Sequence, residues 1–483
     1  MPIEIVQNPK YKQVPVGSDI IFTVRHNTIV ATEKKVKFIA EVHVSPYLAP
    51  VLNTMADIIG TFKTTPNNGG VGIFDLSAIL ENYVKADHLA MYTQGGSGGS
   101  QYKEAQTTFA TPHPIHLVDK YSGNRNSVKY LAIVFKIEYL GATDSNGQQD
   151  DDTVRIAAGE NQNSDYWRIF NGYLKQTDIL RYTTSNSSSS AENFGYFFGK
   201  FNMDDNEDKF LTNAPTTQYA NIDDYGTLPF FNQSNEVYRI ELIYYNSAGG
   251  VLSYEYVNKT DANGADEWIS SVNAKFQIMF FGCFPANLRN WASNFQGMYN
   301  SGTTPAYYTV RAQDSSLGYI SERYTININC PNLKGYEPIR LTWLNQWGVW
   351  DYYTFNKKST KSISTSGSTY TQQRGTWNET VFRLNGYKGG KKAFRVNATE
   401  KITMNTDFVS EAEGPWFEEL INSPEVYMLE GYQTDLPNSY LNNYVTPVRL
   451  TTSSYTKKTV ANDKLMQYTF EVEKAKTLRT QSI

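Results

Sequence analysis

Short runs of alternating apolar and polar residues recur from one end of this chain to the other. This pattern constrains the fold more than any other feature of the sequence. Lys35–Val44 reads KVKFIAEVHV, Val128–Tyr139 reads VKYLAIVFKIEY and Val237–Tyr245 reads VYRIELIYY. Ala274–Phe284, Glu322–Asn329, Val448–Thr456 and Leu465–Glu473 repeat the theme. A period of two, carried by Val, Ile, Thr, Tyr and Phe, describes strands with one buried face. Clusters of Asn, Gly, Ser and Asp between the runs supply turns. Helical spacing is rare. Asp75–Val84 (DLSAILENYV) starts with an Asp cap, and Glu411–Ile421 (EAEGPWFEELI) carries Pro415 where a first turn tolerates it. Asp165–Tyr173 fits either period. The expected fold is all-β and multi-domain, with several β-sandwich-like domains and a few short helices.

A chain of 483 residues is long enough for several cores. The spacing of breaks predicts three domains. Residues 1–211 form an N-terminal β domain with long loop insertions, and residues 212–335 form a middle β-sandwich. Residues 336–483 form a C-terminal β domain with a short helix near 411–421. The aperiodic Pro331–Pro338 stretch is the clearer linker. Thr93–Ser100, Asp144–Asp152, Thr183–Ser190 and Ser362–Gln373 read as flexible surface loops. No fixed-period repeat is visible.

Chemistry-bearing motifs are scarce. The net charge of −4 gives no basic excess with which to neutralise phosphates, so nucleic acid is not an expected partner. No apolar run approaches the length of a membrane span, and the N-terminus has no apolar signal core. Cys283 and Cys330 are too few for a disulfide framework or a zinc site and read as core filler. Of the five histidines, His113 and His116 flank Pro114, which forbids the helical spacing of a zinc motif. His26, His43 and His88 read as structural. The acidic clusters at Asp150–Asp152, Asp204–Asp208, Asp223–Asp224 and Asp261–Glu267 offer hard oxygens suited to Ca2+, but none completes an EF-hand loop, and solvated turns are the plainer reading. The letters GGSGG around Ser97 lack the strand–turn–helix setting of a nucleophile elbow. No cofactor, metal or catalytic residue is expected, and the chain is not expected to be an enzyme.

Aromatic residues make up 14% of the chain. They concentrate in LTWLNQWGVWDYYTF, where Trp343, Trp347, Trp350, Tyr352 and Tyr353 flank a turn marked by Gly348. With Trp416 and Tyr427 these are the candidate interface residues, since such rings anchor protein contacts. A packed core is the competing reading, and stacking on sugar rings is a third.

Several blocks resemble an uncharacterised family of virion proteins from tailed bacteriophages of marine and Bacteroidota-type sources. They are KFIAEVHV with Thr61–Val84, Phe210–Asn232, FPANLRNW, Tyr336–Ile363, Lys401–Leu429 and Ser453–Ala475. Residues 94–127 and 144–195 have no counterpart in that resemblance. It implies a structural part of the virion at the tail tip or baseplate, made in the host cytoplasm, with no assigned active site. Its implied partners are other virion proteins and further copies of itself in a ring or trimer. A host-surface carbohydrate-binding protein and a capsid or neck protein are the alternatives.

Overall fold

The computed structural model describes residues 2–45, 52, 57–90, 114–118, 120–124, 126–143, 149–173, 182–183, 201, 203, 205–232, 237–258, 277–329, 335–410, 413–430, 444–452 and 465–475. The fold is all-β and multi-domain, and the helices among the described residues are short. The first strands are β1 (Glu4–Pro9), β2 (Gln13–Pro15), β3 (Ile21–Arg25), β4 (Lys34–Ser45), β5 (Ile58–Thr64) and β6 (Val71–Asp75). Next come β7 (Tyr121–Gly123), β8 (Val128–Thr143), β9 (Gln149–Ile156), β10 (Gln162–Asn163), β11 (Trp167–Phe170) and β12 (Tyr182–Thr183). The central set is β13 (Thr217–Ala220), β14 (Thr227–Phe231), β15 (Arg239–Tyr245), β16 (Val251–Asn258), β17 (Ile278–Gly282), β18 (Tyr307–Gln313) and β19 (Tyr324–Ile328). The last set is β20 (Ile339–Leu344), β21 (Trp350–Phe355), β22 (Thr360–Gln372), β23 (Gly390–Asn405), β24 (Val409–Ser410), β25 (Val426–Leu429), β26 (Val445–Leu450), β27 (Leu465–Met466) and β28 (Thr469–Lys474). The helices are α1 (Asn27–Thr32), α2 (Ser77–Leu80), α3 (Pro285–Trp291), α4 (Ser293–Asn300) and α5 (Gly414–Asn422).

Within the described residues, the alternating runs fall largely in strands, as expected. In β4 and β8 the cross-strand pairs Phe38–Ile137, Ala40–Phe135 and Val42–Ile133 bury the same face. The ambiguous Asp165–Tyr173 segment resolves to strand β11, whose Trp167 is buried. The expected helix at Asp75–Val84 becomes α2 followed by a 3₁₀ turn, Glu81–Tyr83. Asp75 accepts hydrogen bonds from the Ser77 amide and hydroxyl ahead of it. The second expected helix is α5, with Pro415 in its first turn.

The chain divides into two compact units rather than three. Unit 1 comprises Met1–Asn329, Leu344–Asp351 and Thr434–Tyr440, and unit 2 comprises Cys330–Trp343, Tyr352–Gln433 and Leu441–Ile483. Unit 2 begins at Cys330. Residue 211 lies inside unit 1, because β7, from before that position, pairs with β17, from after it, through Tyr121–Phe281 and Ser122–Phe280. A strand drawn from one segment into the sheet of another cannot be read from local pattern.

Unit 1 holds two layered cores. In the first, the sheet β12-β1-β3-β6 joins through side chains to the sheet β2-β11-β8-β4-β5, to which β9 and β10 attach along β8. Phe22 meets Trp167 edge-on at 5.0 Å, and Phe74 lies 5.8 Å from Phe135. In the second, the sheet β13-β19-β18-β15-β16 faces β14-β17-β7. There Phe210 meets both Tyr324 and Phe230, and the Tyr308 hydroxyl donates to the carbonyl of buried Cys283. Cys330 lies outside the described residues. Besides a separate two-stranded sheet of β24 and β27, unit 2 is built on a sheet of order β21-β20-β25-β26-β28-β23-β22. Helix α5 covers it by placing Trp416 against Trp343 at 5.3 Å and Phe417 against Phe470 at 5.8 Å.

Two segments expected as flexible loops are strands. Ser362–Gln373 is nearly all β22, and the end of Asp144–Asp152 opens β9. Apolar–polar alternation reports the burial of one face, and β22 buries neither, so its Ser/Thr sequence shows no alternation to read. Thr93–Ser100 and residues 184–190 lie outside the described residues. Among the described residues, no helix is long and apolar enough to cross a membrane.

Candidate functional site: the tip of a two-stranded ribbon

The aromatic segment singled out in the sequence is interior. Trp343, Trp347 and Trp350 are fully buried, and Tyr352 and Trp416 nearly so. The turn of the β20–β21 hairpin belongs to unit 1. Asn345 organises it, its Oδ1 accepting from the Trp347 amide while its Nδ2 donates to the Leu211 carbonyl. Gly348 adopts φ +68°, and a Cβ there would collide with the Asn171 carbonyl, so glycine is required at this position. The Trp350 indole N–H donates to the Asp87 carbonyl at 2.7 Å, and its rings lie 5.2 Å from His116 and 5.5 Å from His88. Phe201 sits 4.4 Å from Trp347. In unit 2, Tyr353 packs edge-on against Phe417, its hydroxyl accepts from the Asp407 amide, and burial raises its pKa. Tyr427 is half-buried and donates to Glu425; burial, then that carboxylate, pushes its pKa up to about 12. Five of the seven candidate residues, Trp343, Trp347, Trp350, Tyr352 and Trp416, are thus buried within their own chain, and Tyr353 and Tyr427 are partly exposed.

The bare aromatic surface lies elsewhere. Strands β22 and β23 pair along their whole length, from Thr360–Thr403 to Gln372–Gly390. Only Lys401–Asn405 of β23 also pairs with β28. Beyond that base, Gly390–Glu400 has β22 as its sole strand partner among the described residues. At the usual ~3.3 Å per residue this leaves a two-stranded ribbon about 35 Å long. Every β22 side chain from Thr360 to Thr369 is exposed. An isolated two-stranded ribbon is marginal in water, because neither face is covered.

The loop closing the ribbon, residues 373–389, holds a fixed shape. Thr376, almost fully buried, donates to the Val381 carbonyl and accepts from the Arg383 amide. The Trp377 indole donates to the Arg374 carbonyl, and its ring lies 5.1 Å from Phe382. Lys392 donates to the Tyr387 carbonyl. These bonds order the backbone while leaving large apolar side chains in solvent. Trp377, Leu384 and Tyr387 are 70%, 74% and 72% exposed, and Val381 and Phe382 are also exposed. Ile363, Phe394 and Val396 continue the bare surface along the strands.

Charge is concentrated on the same structure. Residues 360–405 contain Lys361, Arg374, Arg383, Lys388, Lys391, Lys392, Arg395 and Lys401 against Glu379 and Glu400. That is a net of +6 within a chain of net −4, so the remainder carries −10. At the base, ion pairs join Lys401 to Glu471 and Glu400 to Lys474. Hydrogen bonds from Thr451 and Lys401 hold the Glu471 pKa below the ordinary range. Arg374, Arg383, Lys388, Lys391, Lys392 and Arg395 face no acidic partner among the described residues.

Elsewhere, polar groups form local structural networks. His26 caps α1 through Nδ1 and meets Glu160 at 3.3 Å, and buried His43 meets Glu41 at 3.3 Å. Glu241 accepts from Tyr319 and Gln313 inside unit 1. Glu255 accepts from Tyr244 and Ser293, and burial raises its pKa. No group of three His, Cys, Asp or Glu among the described residues is placed to hold a metal. His113, Ser97 and the Asp261–Glu267 loop lie outside the described residues.

The sequence reading missed the ribbon. The available signals were the glycine-rich turn GYKGGKK, its run of lysines, and apolar residues at 377–384 that follow no period.

No known protein family matches the chain, and no curated protein matches it. Solved structures give faint likenesses to bacterial α2-macroglobulins. The native Escherichia coli protein shows 9% identity and a TM-score of 0.16, covering 83% of this chain and 22% of that one. The trypsin-activated E. coli form gives 7% identity and 0.16, over 84% and 26%. The Salmonella protein reacted with methylamine gives 8% and 0.16, over 97% and 23%. The chain thus spans about a quarter of those proteins' length, and TM-scores this low carry no argument about fold or function.

Proposed function

We propose that this protein is a structural component of a tailed-phage virion, at the tail tip, baseplate or elsewhere along the tail, acting through protein–protein contacts and not through catalysis. The observation that carries this reading is the ordered ribbon, whose apolar tip is left in water by its own chain. Contiguous exposed apolar groups mark contact surfaces. A long uncovered ribbon is stable where a neighbour covers it. The resemblance of the sequence blocks to virion proteins supplies the setting: synthesis in the host cytoplasm, then incorporation into the particle beside other virion proteins. The decisive experiment is mass spectrometry of purified particles, with an image of particles labelled on this protein. Stoichiometric presence and tail labelling support the role, labelling at the head or neck moves it there, and absence from particles ends it.

A second reading draws on the bare rings of Trp377 and Tyr387, which suit stacking on sugar. It makes the protein a host-surface carbohydrate-binding attachment factor. Retention of the purified chain on host glycan, lost in Trp377→Ala, would favour it.

A further inference from the structure

We infer that the far end of the β22–β23 ribbon, residues 374–395, docks onto an anionic phospholipid surface, with its rings seated among the lipid headgroups and its cations on the phosphates. This goes beyond the protein contacts proposed above and gives the end of the ribbon a partner of its own. The ribbon changes character along its length. From Thr360 to Thr369, β22 exposes mainly the hydroxyls of Ser and Thr. Residues 374–395 instead expose Trp377, Val381, Phe382, Leu384, Tyr387 and Phe394. The same stretch carries Arg374, Arg383, Lys388, Lys391, Lys392 and Arg395 against Glu379 alone, six cations to one carboxylate and a net of +5. None of the six is in an ion pair among the described residues.

The two kinds of side chain are interleaved. Phe382, Arg383 and Leu384 are consecutive, as are Tyr387 and Lys388, and Phe394 and Arg395. Arg383 and Arg395 are exposed beside their apolar neighbours. A partner must therefore take up apolar area and positive charge side by side. The interface of an anionic bilayer does so, because its phosphates lie directly above the acyl chains, and Trp and Tyr settle at that level. A soluble polyanion matches the charge and leaves the rings in water. A protein partner needs a preformed acidic and apolar counterpart, whereas a fluid lipid interface closes around the end of a hairpin without one. The loop is already ordered by the hydrogen bonds of Thr376, Trp377 and Lys392, so docking has little further chain to immobilise. The chain outside residues 360–405 carries −10, the chain's −4 less the ribbon's +6. The same anionic surface repels that remainder, which confines the contact to the ribbon.

The test uses the full chain and lipid vesicles at low salt, with binding read by co-sedimentation. Vesicles of phosphatidylcholine and phosphatidylglycerol in roughly equal parts should bind at least about tenfold more tightly than phosphatidylcholine alone, and added salt should narrow the gap. Arg383→Gln with Lys391→Gln and Arg395→Gln should remove the preference for anionic vesicles. Trp377→Ser with Leu384→Ser should weaken binding to them at least about tenfold. Both variants alter exposed side chains and should keep the wild-type urea midpoint, which shows that they fold. Acyl-brominated phosphatidylcholine in the anionic vesicles should quench tryptophan emission in the wild type, and less in Trp377→Phe, which keeps a ring at the site. The inference is overturned by a wild-type chain that binds no anionic vesicles, or by binding that both multiple variants retain. Binding unchanged in Trp377→Ser with Leu384→Ser alone also overturns it, since that marks a purely ionic site. So does a chain held by heparin but not by vesicles, which would indicate a polyanionic ligand, or one that self-associates through the ribbon and ignores vesicles, which would indicate a second copy. Particle composition is a separate readout: a chain that binds vesicles but is absent from particles keeps this contact and ends the virion role, and a chain found in particles that binds no lipid does the reverse.

Discussion

Two hairpins separated by four residues, β20–β21 and β22–β23, use aromatic and β-branched side chains to opposite ends. The first is short, and every tryptophan in it is buried, with the Trp350 N–H satisfied by a backbone carbonyl. The second is long, and its tryptophan is 70% exposed although the loop around it is held by hydrogen bonds. In the first, burial of rings stabilises the chain itself. In the second, local hydrogen bonds hold rings in water, where they contribute little to folding and remain available to a partner. Aromatic content alone therefore says nothing about which surface makes contact.

The comparison breaks most sharply under truncation of the buried hairpin. Trp350→Ala should cost about 3–5 kcal/mol, from the cavity and the unpaired Asp87 carbonyl, seen as a lower urea midpoint. A loss below ~1 kcal/mol would mean that the turn of this hairpin is not part of the unit 1 core. Gly348→Ala comes next, costing more than ~1 kcal/mol, because alanine at positive φ is strained and its methyl meets the Asn171 carbonyl. A midpoint unchanged from wild type would contradict that turn geometry.

The third prediction concerns pH at the ribbon base. Glu471 has a depressed pKa in the folded chain, so its charged form favours folding. That contribution is present above the unfolded carboxylate value of roughly 4.3 and is lost as pH falls through the lower folded value. Hydrogen-exchange protection at Lys401–Asn405 should therefore fall on acidification before protection at Ile339–Leu344 does, and Glu471→Gln should remove the difference. Equal loss at both sites in the wild type would separate ribbon stability from this pair. The smallest effect belongs to the exposed ring. Trp377→Ala should shift stability by under ~0.5 kcal/mol, while reducing the iodide-quenchable part of the tryptophan emission. A larger loss would mean that the tip is packed in solution.

The all-β class was legible because strands such as β4, β8 and β15 bury one face and show it as alternation. Of the α-helices among the described residues, α2 and α5 were legible from spacing and α1, α3 and α4 were not, and Gly348 announced its turn. The candidate site was not. LTWLNQWGVWDYYTF displays its rings in sequence, yet whether a ring faces a core or a partner depends on what lies across from it, here Asp87, His116 and Phe201 for the turn and Trp416 and Phe417 for the strands. The Ser/Thr-rich β22 hid as an apparent loop because a strand exposed on both faces has no apolar period.

By itself, then, the sequence determined the strand type of most segments and two of the short helices, since backbone preference and one-sided burial act over a few residues. Tertiary structure alone decided which strands share a sheet, as with β7 beside β17, and which aromatic residues lie in solvent. Pairing across more than a hundred residues, and the burial of a ring by groups equally remote, are settled by the free energy of the whole packed arrangement, which no local stretch of chain contains.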